Sequence, residues 1–150
     1  MSTVVGGPSV TTPEITNVGS FPTFWAVPTD VTVGQLVGSG GGVSAQSISA
    51  QSDHTDDMKR CAKWLAERCV KAGLKAEIRK TSGCPVVIAK TPKQDPKKPT
   101  YLVYGHYDVQ PPDPLELWTS PPFEPRRVGR NVYARGISDN KGQHLAHINA

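Results

Sequence analysis

The run Thr100-Tyr101-Leu102-Val103-Tyr104 is almost wholly apolar and leads directly into Gly105-His106-Tyr107-Asp108. So short and apolar a run reads as a strand covered on both faces. Such a strand needs a layer above and below it, which a sheet flanked by helices provides. The expectation is therefore an α/β fold containing part of a mixed, largely parallel sheet.

The rest of the chain fits that expectation only after residue 52. Residues 1–52 carry Glu14 and Asp30 as their only charges, while every Lys and Arg falls later, although the whole chain has a formal charge of +4. The first part is rich in Gly, Ser, Thr, Val and Pro, and its Gly38-Ser39-Gly40-Gly41-Gly42 run has the composition of a flexible linker. Next, Val43-Ser44-Ala45-Gln46-Ser47 is nearly repeated by Ile48-Ser49-Ala50-Gln51-Ser52, which reads as a junction. The Val and Thr content of 29–37 allows one edge strand, but the first reading of this stretch is a poorly ordered extension. The division expected is an atypical extension over 1–46 and a globular portion over 47–150.

Within the globular portion, Met58, Cys61, Ala62, Leu65, Cys69 and Ala72 follow the spacing of a helix that buries one face, over about 54–72. Thr55 or Asp53 is expected to cap its start, Asp56 and Asp57 suit the positive end of its dipole, and Gly73 is a left-handed stop. Trp64 is placed at the edge of the core. Strands are expected at 75–80, 84–90, 100–105 and 131–134, with a helix after Asp139. Thr91 to Pro99 reads as a solvated loop, and Arg126, Arg127 and Arg130 as solvated turn charges.

Several function classes recede on composition. The basic residues scatter over a helix, a loop and strand ends instead of forming one patch, so no nucleic-acid partner is expected. No apolar run approaches the roughly 18 residues of a membrane span, and the start lacks the basic-then-apolar order of a secretion signal. Cys61, Cys69 and Cys84 form neither a CxxC pair nor a disulfide framework. A cytoplasmic protein with reduced cysteines and no membrane partner is expected.

His106 and Asp108 stand i, i+2 at the end of the apolar run, so both point to one side of an extended backbone. Neutral imidazole ligates zinc through one nitrogen, and a carboxylate on the other fixes the tautomer and raises ligand basicity. An isolated His-x-Asp is more often an ordinary hydrogen-bonded pair in a partly buried turn. The following sequence changes that balance. Gly105 to Asp108, then Val109-Gln110-Pro111-Pro112-Asp113-Pro114-Leu115-Glu116-Leu117-Trp118, then Thr119 to Pro125 and Tyr133-Ala134-Arg135-Gly136-Ile137-Ser138-Asp139-Asn140-Lys141-Gly142-Gln143 closely resemble the carnosinase, carboxypeptidase-G and succinyl-diaminopimelate desuccinylase family of two-metal peptidases. The resemblance spans about 47–150.

It implies a three-layer zinc-peptidase sandwich, here in part, and hydrolysis of peptide or amide bonds in short peptides or amino-acyl amides by a two-metal-activated water. It implies His106 as a terminal ligand, Asp108 as the catalytic carboxylate that orients it, and Asp139 as the carboxylate bridging two divalent ions: zinc first, with manganese or cobalt as alternatives. An anionic bridge screens the repulsion of two such ions about 3.5–4 Å apart. The residue after the bridge, here Asn140, is often joined to it by a cis peptide in relatives. Gly136 and Gly142 would permit close backbone approach. His144 and His147 match no ligand position and read as helix-face residues; Cys61 and Cys69 read as small core residues.

In that family an acidic pair, which supplies the general base and a further ligand, follows the bridge by a few dozen positions. This sequence stops at Ala150, so the resemblance implies an incomplete site in the chain alone. Self-association or a complementary chain is expected to cover the apolar strand. The competing expectation is a non-catalytic module, a truncated or fused peptidase fold used as a scaffold. A metal-independent binding protein that kept the fold is a third.

Overall fold

The computed structural model describes Val37–Gly38 and residues 41–149. In chain order the elements are β1 (Val37–Gly38), β2 (Gly41–Gly42), α1 (Thr55–Lys71), β3 (Lys75–Arg79), β4 (Val86–Lys90), β5 (Arg126–Val128), β6 (Asn131–Tyr133) and α2 (Gly142–Asn149). Short helical turns precede α1 at Ser52–His54 and lie at Leu115–Leu117. The architecture is α/β. The edge strand allowed at 29–37 lies outside the described residues except for Val37.

Helix α1 forms where its apolar spacing places it, burying Met58, Cys61, Ala62 and Cys69. Leu65 is half-buried, and Ala72 is exposed because it already lies past the last turn. Neither expected cap acts at the start. His54 occupies the cap position without a capping bond, since the Ser52–His54 turn runs straight into the helix and the Ser52 carbonyl accepts from the Thr55 backbone. His54 instead bonds Asp57 through Nδ1 at 2.8 Å. The end matches expectation: Gly73 sits at φ +85 while the Leu74 N–H reaches the Cys69 carbonyl at 3.0 Å and the Gly73 N–H reaches Val70 at 2.9 Å. That pair of bonds is a Schellman stop. The Lys59–Asp56 and Lys63–Glu67 ion pairs on the outer face are largely exposed and add little stability.

Beyond the stop, β3 and β4 pair antiparallel from Lys75↔Lys90 to Arg79↔Val86 and pack on α1. A second hairpin pairs β5 with β6 through a turn at Gly129, where φ is +60. Every strand pair among the described residues is antiparallel. The mixed, largely parallel sheet is therefore not built by these residues.

The strand expected at 100–105 is the clearest departure. No strand forms there, and Leu102 and Tyr104 are 91% and 87% exposed. A strand exists only by pairing, and the described part of the chain brings no neighbour alongside. Its apolar character remains, uncovered.

The glycine run also differs from a flexible linker. β1 and β2 pair as Val37↔Gly42 and Gly38↔Gly41, and Gly41 lies so close under Trp64 that an added Cβ would fall 2.3 Å from its Cγ. Val43 is fully buried and packs with Val132, Ala134, Ile137, Leu145 and Trp64. Val43 and Ala45, within the segment read as an extension, are thus core residues.

Candidate metal centre

Three segments distant in sequence meet at one place. The first is 105–109, held extended by the second, 45–49. The Val109 N–H donates to the Ser47 carbonyl at 2.9 Å, and Ser47 Oγ donates to the Tyr107 carbonyl at 2.7 Å. Ser47 is fully buried, so its hydroxyl needs that partner. The second segment is tied in turn by the buried Lys141, whose Nζ donates to the Ala45 carbonyl at 2.7 Å. Burial pushes the Lys141 ammonium below its ordinary pKa, against the opposing pull of Asp108 and Asp57. Cys61 is buried beside it, and burial holds its thiol above the usual range, so it stays protonated as a core residue.

The third segment is the irregular turn Ile137–Lys141, broken from helical geometry at Asp139 (φ −148, ψ 88) and Asn140 (φ −139, ψ 20). Their shared peptide bond is cis. Fully buried Ile137 anchors the turn from one side, and the Lys141 N–H closes it on the Gly136 carbonyl at 2.9 Å. Gly136 is required: its φ is +82, and an added Cβ would meet Val109 Cγ1 at 2.6 Å. Gly105 is required for room, because a Cβ there would overlap His144 Nε2 and approach Asn140 Oδ1 to 2.6 Å.

The result is a line of side chains. His106 Nδ1 lies 2.9 Å from Asp108 Oδ1, and His106 Nε2 lies 3.0 Å from Asp139 Oδ1. Asn140 Oδ1 accepts from the His106 N–H at 3.3 Å, and Ser49 Oγ donates to Asp108 Oδ2. Asp139 is 81% exposed, leaving its other oxygen open. Partial burial lowers the basicity of His106, but the backbone carbonyl and carboxylate of Asp108, with Asp139 beyond, outweigh it and raise the pKa.

This geometry favours a cation between His106 and Asp139. With Nδ1–H donated to Asp108, a neutral imidazole would aim its Nε2 lone pair at a carboxylate oxygen, acceptor against acceptor. A proton or a metal ion relieves that conflict. Zinc–nitrogen and zinc–oxygen bonds are about 2.0–2.2 Å, so two donors on one ion stand roughly 3–3.5 Å apart. The observed 3.0 Å fits two positions of such an ion. Among the described residues no group of three or more His, Cys, Asp and Glu side chains is arranged to complete it.

The structure brings His106, Asp108 and Asp139 together. His144 lies behind Gly105 with its Nε2 buried and without a hydrogen bond, and burial, then the neighbouring His106 and His147, lower its pKa. Sequence reasoning missed Ser47, Ser49 and Lys141. Ser47 and Ser49 act across 60 and 59 positions, and Lys141 across 96, so no local pattern announces them. No helix among the described residues is long and apolar enough to cross a membrane.

Comparison with known proteins gives a consistent result. Residues 102–150 match the peptidase family M20/M25/M40. The chain is 44% identical over 66 residues to the Beta-Ala-His dipeptidase of Rattus norvegicus, covering 44% of this chain and 13% of that protein. It is 31% identical over 110 residues to the cysteinylglycine-S-conjugate dipeptidase of Corynebacterium striatum, covering 72% of this chain and 24% of the relative. The crystal structure of human carnosine dipeptidase 1 superposes with a TM-score of 0.63 at 31% identity, covering 71% of this chain and 25% of that one. The chain thus spans a quarter or less of the length of these relatives.

Proposed function

We propose, from the premise that this chain carries the amino-terminal part of a peptidase of family M20/M25/M40, that His106, Asp108 and Asp139 form the first part of a two-metal centre hydrolysing peptide or amide bonds in short peptides. The carrying observation is the 3.0 Å approach of His106 Nε2 to Asp139 Oδ1 while Nδ1 is engaged by Asp108. Two relatives are named as dipeptidases, which supports dipeptides or amino-acyl amides as the substrate class.

In this reading His106 Nε2 and one Asp139 oxygen would hold one divalent ion, and the exposed second oxygen of Asp139 would serve another. Zinc is the first choice for this nitrogen and oxygen donor set, with manganese or cobalt as alternatives. When bound, the ions would acidify water and polarise the scissile carbonyl. Asp108 accepts a hydrogen bond from Nδ1–H and so keeps the Nε2 lone pair aimed at the centre. Asn140 Oδ1 holds the His106 backbone, limiting ring movement. Among the described residues no group of three or more His, Cys, Asp and Glu side chains supplies the further ligands. The full three-layer sandwich, the cytoplasmic location and a globular portion over 47–150, to which Val43 and Ala45 add core residues, belong to the same proposal.

The test is dipeptide hydrolysis by the chain complemented with the remaining catalytic-domain segment of a relative. Asp139→Asn is expected to lower turnover by at least about 100-fold, because a neutral amide neither screens the two ions' mutual repulsion nor holds them as tightly, and loss of even an outer partner of a metal ligand costs 10–100-fold. Turnover unchanged by that substitution would sink the assignment.

A non-catalytic, self-associating module is favoured by one observation: Tyr101, Leu102, Val103 and Tyr104 are all exposed on an unpaired backbone. A second copy could pair along this edge. Leu102→Lys is expected to shift the chain to monomer in sedimentation velocity at concentrations where the wild type associates. Identical sedimentation of both would exclude this surface.

A further inference from the structure

We infer that Ser49 is a positioning residue for the metal centre, an inference that rests on the metal-binding reading above. Ser49 Oγ donates to Asp108 Oδ2, while Asp108 Oδ1 engages His106 Nδ1. Both oxygens of the carboxylate are therefore occupied, and its plane is fixed. A carboxylate held by one oxygen only would rotate about its last bond and carry the imidazole with it. With Ser49 in place, Ser49, Asp108 and His106 form a hydrogen-bonded line that ends at Nε2.

Ser49 is itself well placed for this task. Two residues earlier, Ser47 is locked to Tyr107 and Val109, and two before that the Ala45 carbonyl is held by Lys141. The segment thus reaches Ser49 with little freedom left. Ser49 is also exposed, whereas Ser47 and Ile48 are buried. Its hydroxyl contributes almost nothing to the core, so its contact with Asp108 is separable from stability.

The experiment is a zinc titration of the full chain against a chromophoric chelator, with thermal unfolding measured in parallel, for the wild type, Ser49→Ala, Ser49→Thr and His106→Ala. Partners of metal-bound histidine typically change affinity 10–100-fold, and a residue one bond further out is expected at the low end. Ser49→Ala should therefore bind zinc about 10-fold more weakly. Its unfolding midpoint should stay close to the wild type, and Ser49→Thr, which keeps a hydroxyl, should recover most of the affinity. Wild-type affinity in Ser49→Ala overturns the inference while leaving the metal centre standing. So does a threonine variant as weak as alanine, or a loss of affinity matched by a lowered midpoint. If wild-type uptake does not depend on His106, the metal reading falls and the role of Ser49 falls with it.

Discussion

A His106→Ala chain is expected to lose specific zinc uptake, with affinity lower by at least about 100-fold, since loss of an outer partner alone costs 10–100-fold and this change removes the ligand itself. The physical basis is the facing of two acceptors. Asp108 accepts a hydrogen bond from Nδ1–H, so the remaining nitrogen meets Asp139 Oδ1 at 3.0 Å with nothing positive between them unless a cation binds. Alanine removes both the donor nitrogen and the conflict. Equilibrium dialysis with zinc, with the metal counted by elemental analysis, gives the answer directly. Because the ring is 44% exposed in its side chain, the loss of packing is small, and the fold should survive. Unchanged uptake would mean that zinc is held elsewhere, and would remove the main support for a hydrolytic centre here.

Ile137→Ala is expected to destabilise the chain by about 2–5 kcal/mol, the usual cost of emptying a fully buried aliphatic site. For a domain near this size that is a fall of roughly 5–15 °C in the thermal midpoint. Ile137 is fully buried against Val43, Val132, Ala134 and Leu145, and it lies two residues before Asp139. The cavity would therefore loosen the very turn that presents the carboxylate. Differential scanning calorimetry with and without zinc separates the two effects: the midpoint should fall in both, and the zinc-induced rise should shrink. A midpoint within a degree of wild type would show that Ile137 is not the anchor.

These two residues also mark what was readable before the structure. That His106, Asp108 and Asp139 lie together follows what the resemblance carried by their long shared motif implies. Helix α1 was legible because its spacing is local, as was its stop at Gly73. The strand at 100–105 was misread for a physical reason: apolar content shows that a segment wants cover, but cover must come from a neighbour, and none of the described residues lies beside it. The glycine run was misread because composition shows what a backbone is able to do, while Trp64 packed against Gly41 decides what it does. Lys141 was invisible for the same reason. Its burial follows from a carbonyl 96 positions away.

The clamp between Ser47 and Tyr107 also has a temporal side. Its two ends are separated by 60 residues, so the contact forms only after a long loop has closed. Loop closure is entropically uphill until the contacts at its ends are made, and contacts between distant positions arise late and slowly. Helix α1 and the β3–β4 hairpin, whose partners are near in sequence, have no such delay. The segment that carries His106 and Asp108 is consequently expected to be fixed after the local elements. A partly opened chain is expected to show the helix and hairpin before the His106–Asp108 contact.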